Sequence, residues 1–186
     1  MIRFSIAPTL SAIAAGLLFA TTAASAQTAQ PAHEEVRLHG NDQAFITEAT
    51  KAVSTQRDAA RIATARSSDR EVKAFAERVA NDNAALSGEL RAAIPHGIEV
   101  PKDDPDNAVL DSVRDLRGGE FDKTYIENVA LAGQQRAVSV FQAEAANGRD
   151  DQLKEAARKA LPTMQQHYAM AQELAKRKHL PEGGAQ

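Results

Sequence analysis

Four hydrogen-bonding side chains, Gln56, Asn83, Gln134 and His167, each interrupt an otherwise apolar stripe of the sequence. At the centre of a helical bundle such groups have two uses. They can ligate a metal or a small polar molecule, or they can bond to one another and fix the register of the helices. Three of the four are amides, whose neutral oxygens do little to offset the desolvation of a dication. The carboxylates Asp58, Asp82 and Glu127 neighbour the stripes and can each add one oxygen ligand to His167. The simpler reading makes them solvated flank charges. The expectation is therefore a structural or water-binding polar layer, with no metal, no cofactor and no catalytic residue. If a metal is held at all, its ligands come from His167, Asp58, Asp82 and Glu127.

Other chemistry is harder to find. The chain has no Cys, so disulfides and thiolate metal sites are excluded. There is no Ser-His-Asp arrangement with geometric support and no Gly-rich phosphate loop. Asp103-Asp104-Pro105-Asp106 reads as a turn with a helix cap rather than as a calcium loop.

The elements that carry the four residues follow from apolar spacing. Phe45, Ala49, Ala52, Gln56, Ala59 and Ala63 form one helical stripe, within a helix expected from about 42 to 67. Val72, Ala76, Val79, Asn83, Leu86, Leu90 and Ala93 form a second, with Ser68 and Glu71 suited to a capping box at its start. Pro95, Gly97 and Pro101 end that helix. Residues 107–116 read as a short helix. Ala130, Gln134, Ala137, Phe141 and Ala145 mark the third long helix, from about 120 to 146. Leu153, Ala157, Ala160, Met164, His167, Ala171 and Leu174 mark the fourth, from about 151 to 179, with Asp150 as its cap. Pro162 lies inside the fourth helix and predicts a kink near 158–161.

Four helices of about 26 residues are each about 39 Å long. Tight turns join the first to the second and the third to the fourth. The middle connection is much longer. The expected fold class is all-α: a ferritin-like four-helix bundle with one long crossover between helices two and three, and a short extra helix in the crossover.

Residues 1–26 open with Arg3, continue through an apolar stretch and end Ala24-Ser25-Ala26, the pattern of a signal peptide. The expected organisation is a signal peptide at 1–26, a flexible arm at 27–40, the bundle at 41–179 and a disordered tail at 180–186. His33, Glu34, Glu35 and His39 in the arm are read as parts of a solvated terminus. Removal of the signal leaves 21 basic and 25 acidic side chains, a net charge of -4. No basic patch is visible, so nucleic acid is not the expected partner. No segment after the signal approaches the ~20 apolar residues of a spanning helix. The location expected is periplasmic or secreted.

The stretches FITEATKAVSTQRDAARIA (45–63), EVKAFAERVANDN (71–83), GEFDKTYIENVALAGQQRAVSVFQAEA (119–145) and LPTMQQHYAMAQEL (161–174) carry a resemblance. They resemble the secreted bacterial ferritin-like proteins of domain-of-unknown-function family 4142, over about residues 41 to 178. The resemblance implies a ferritin-like bundle. It also implies Glu near Gln56, His at Asn83, His near Gly133 or Gln134, and His at His167. Only His167 is present here, so the usual ligand positions hold amides.

Three functions stay open. The first is a non-catalytic exported bundle acting by partner binding or envelope stress protection. The second is a metal-binding or oxidase protein, and the third a small-ligand carrier. The partner, protein or small molecule, is unknown, and a homo-oligomer is possible.

Overall fold

The computed structural model describes residues 38–181. The expected signal peptide, most of the arm and the tail after 181 lie outside the described residues. Those described form five helical rods and no strand. Helix α1 spans Gly40–Arg66 and α2 spans Arg70–Ala93. Helix α3, Asn107–Arg114, is the short helix of the crossover. The next rod is composite: α4 (Gly118–Thr124), a π-helical segment (Tyr125–Leu131) and α5 (Ala132–Asn147) follow one another without a break. Helix α6 spans Asp151–Arg177 and runs unbroken through Pro162.

Local chemistry sets the ends. Asp69, rather than Ser68, caps α2: its carboxylate accepts from the Glu71 and Val72 amides. Asp150 does the same for α6 through Gln152 and Leu153, and Asp106 for α3 through Ala108 and Val109. Each cap satisfies amides that a helix leaves free and stabilises it by about 1 kcal/mol. Gly118 opens α4, with a left-handed φ of 59° that glycine adopts without a Cβ clash.

Helix α1 packs against α2 and α5, and α6 packs against α5, α2 and the π segment. The crossover is fastened to this frame. Asp103 accepts from Arg57 on α1 at 2.9 Å and from Arg91 on α2 at 2.6 Å. The Asp106 amide donates to Thr55 Oγ1 at 2.8 Å. Leu110 and Val113 of α3 are buried beneath it.

The interior is divided. One apolar cluster holds Ala59, Ala63, Val72, Phe75, Val79, Phe121, Tyr125, Leu131, Ala171 and Leu174. The other holds Phe45, Ala49, Val53, Leu86, Leu90, Ala137, Phe141, Leu153, Ala160 and Met164. On every long rod the break between the clusters falls at one polar residue: Gln56, Asn83, Gln134 or His167.

Candidate functional site

The four residues at this break are all buried, Gln134 and His167 fully so. The structure joins two of them to each other and a third, His167, to a neighbouring carboxylate. On one side Gln134 Nε2 donates to Gln56 Oε1 at 3.1 Å, and Gln56 Nε2 donates to the Val129 carbonyl at 3.0 Å. On the other, His167 Nε2 lies 2.9 Å from Asp82 Oδ2. Asn83 is adjacent to Asp82 on α2, and neither of its amide atoms has a partner among the described residues. Gln134 Oε1 and His167 Nδ1 are also buried without one.

The amide pair depends on two local features. The π segment carries Val129, whose carbonyl Gln56 reaches across from α1. Gly133 then leaves the room: a Cβ there would stand 2.0 Å from Gln56 Nε2. Neither feature is expected from the spacing alone. The π segment leaves a trace, because Val129, Ala130 and Leu131 are buried in succession where an α-helix would turn one outward. Gly133 is an isolated glycine inside a helical stripe, a mark of close approach.

Asp82 is not a solvated flank charge. It accepts from His167 and from Arg78 Nε, the latter at 2.5 Å. Partial burial works to raise its pKa, but the hydrogen bonds from Arg78 and His167 outweigh that and hold it below the usual carboxylate range. Burial lowers the pKa of His167 against the opposing pull of Asp82. The imidazole is therefore neutral near pH 7 and donates its Nε2 proton to an ionised Asp82, with Nδ1 left as an acceptor. The other two carboxylates stand apart. Asp58 accepts from Arg57 and Arg61 on its own helix. Glu127 is half-buried in the π segment and makes no side-chain hydrogen bond among the described residues.

This donor set does not fit a metal. Two glutamine amides are committed to each other and to a backbone carbonyl, and one imidazole nitrogen is committed to Asp82. Among the described residues no group of three His, Cys, Asp or Glu side chains could hold an ion. The arrangement leaves spare hydrogen-bonding capacity at Asn83, Gln134 and His167, all facing the interior.

The sequence matches the domain of unknown function DUF4142 over residues 24–174. The chain belongs to the DUF4142 family. The match takes in the four long rods, almost to the end of α6, and extends before the described residues. No curated protein matches the sequence. Among solved structures, the DUF4142 chain is similar in fold to a DUF305 protein from Streptomyces coelicolor. The TM-score is 0.63 at 16% identity, over 78% of this chain and 96% of that one. No helix among the described residues of this DUF4142 protein is long and apolar enough to cross a membrane.

Proposed function

We propose that this DUF4142 protein is an exported, non-catalytic bundle of the ferritin-like type, working through its surface in partner binding or envelope protection. The observation that carries this reading is the Gln56–Gln134–Val129 hydrogen-bond chain. A carboxylate at position 56 could not donate to the Val129 carbonyl, and its charge would be buried beside Gln134. The interior is built for amides, which hold helices together and do not bind iron or manganese well. The long fastened crossover supports the ferritin-like topology, since up-down bundles need none. The apolar stretch and Ala24-Ser25-Ala26 at the start support export, and the DUF305 protein similar in fold has the word "secreted" in its name.

Metal analysis of the purified protein, with and without added iron, zinc and manganese, tests the reading. Metal content well below one ion per chain is expected, with thermal stability unchanged by a chelator. Stoichiometric metal that disappears in His167→Ala would replace this reading with the metal-binding one, for which the His167–Asp82 contact is the specific support. A carrier role finds less: the cleft of about 180 Å³ between α1, α3 and α5 is lined by the charged Lys51, Asp106, Arg136 and Glu48 as well as by the already bonded Gln56.

A further inference from the structure

At the end of the bundle far from the α1–α2 turn, two acids are buried side by side. Asp42 lies in the first turn of α1 and is fully buried; Glu144 lies in the last turn of α5 and is 3% exposed. Asp42 Oδ1 accepts the Arg149 amide at 2.8 Å. Asp42 Oδ2 and Glu144 Oε1 have no donor among the described residues. Gly148 leaves the space that the Glu144 carboxyl fills, because a Cβ there would stand 2.3 Å from Glu144 Oε1.

Two ionised carboxylates cannot be buried in contact without a compensating cation, whereas one proton between them satisfies both idle oxygens. We propose that Asp42 and Glu144 share one proton and form a pH-sensitive latch that fastens the start of α1 to the α5–α6 turn. Backbone polarity assigns the roles. The first turn of a helix favours an anion, which suits Asp42, and the last turn disfavours one, which suits a protonated Glu144. Three charged groups among the described residues bear on the pair. Asp150 at the α6 cap adds repulsion, Lys154 on α6 opposes it, and Glu48 on α1 lines the same shallow groove as Glu144. Lys154 Nζ donates to the Gly148 carbonyl at 3.3 Å, so its charge is directed at the turn rather than at the pair. Burial first, and then the charge and hydrogen bond of Asp42, push Glu144 up to about 7.

Glu144 holds its proton more tightly in the folded chain, so its contribution is fully present below about pH 4.5 and is lost as pH rises through about 7. Above that, two anions repel and the start of α1 separates from the turn.

Carbon-13 NMR of the labelled protein reads the pair directly. The Glu144 carboxyl carbon should titrate near pH 7, with the amides of 40–44 and 148–150 moving along the same curve. Hydrogen exchange at the start of α1, corrected for its intrinsic pH dependence, should quicken on the order of tenfold between about pH 6 and 8. In Glu144→Gln the carboxamide donates to Asp42 permanently, and both responses should vanish. A Glu144 carbon titrating near the ordinary value of 4.5, or amides that ignore its titration, would overturn the latch. So would millimolar calcium moving the Glu144 carbon at constant pH, because the pair would then hold a cation in the proton's place.

Discussion

Gly133→Ala should lower the stability of this DUF4142 protein by about 3 kcal/mol. The new methyl would meet Gln56 Nε2 at 2.0 Å and push that amide from its place. Gln56 is 3% exposed and bonded at both ends of its amide. Moving it breaks the bond to Val129 and strands the Gln134 amide. Alanine's better helix propensity returns about 1 kcal/mol, a gain already included in the net loss. In thermal unfolding the loss should appear as a fall in Tm of roughly 10 °C. Gly88 is the control. It too is helical, but nothing lies within 4 Å of the place its added methyl would take. Gly88→Ala should therefore raise stability, by up to about 1 kcal/mol. If both variants behaved alike, the close approach of Gln56 to Gly133 would not be a feature of the protein in solution.

His167→Ala should cost about as much, roughly 3 kcal/mol, and should also change how stability depends on pH. The imidazole is fully buried at the break between the two apolar clusters, so its removal leaves a void and takes the buried donor from Asp82. Because burial depresses the imidazole pKa, the folded chain binds fewer protons here than the unfolded one. The sign is opposite to that of Glu144. Stability from His167 is fully present above the unfolded value of about 6.5 and is lost as pH falls below it. Tm of the parent protein should therefore drop more steeply between about pH 7 and 5 than that of His167→Ala. Parallel curves would mean that His167 ionises freely, and that the neutral donor to Asp82 is wrong.

The all-helical character, the ends of the long rods and the polar interruptions in their apolar stripes were all legible in the sequence. Strict spacing at Val72, Ala76, Val79, Asn83, Leu86 and Leu90 admits no other face for α2. The partners of the polar residues were not legible. Register across two helices decides whether Gln134 meets Gln56 or His167, and that register depends on a π segment which shifts α4 against α5. Asp82 looked solvated for a related reason: it lies one position off the stripe, yet a side chain from a facing helix can reach it. Asp42 and Glu144 left no mark at all. An acid in the first turn of a helix and another near a Gly-containing turn resemble ordinary surface charges until the fold closes them together.

The split interior has a thermodynamic consequence. Each apolar cluster draws on all four long rods, and each is nearest to one of the two tight turns, so neither is a fragment of the other. Between them lie an amide–amide and a carboxylate–imidazole coupling in place of continuous hydrocarbon. Opening one half of the molecule thus exposes its own greasy surface while the other half keeps most of its contacts. Cooperativity between the halves passes through a narrow polar joint, and beyond the fraying of helix ends the sub-global openings of the native state should follow the two halves.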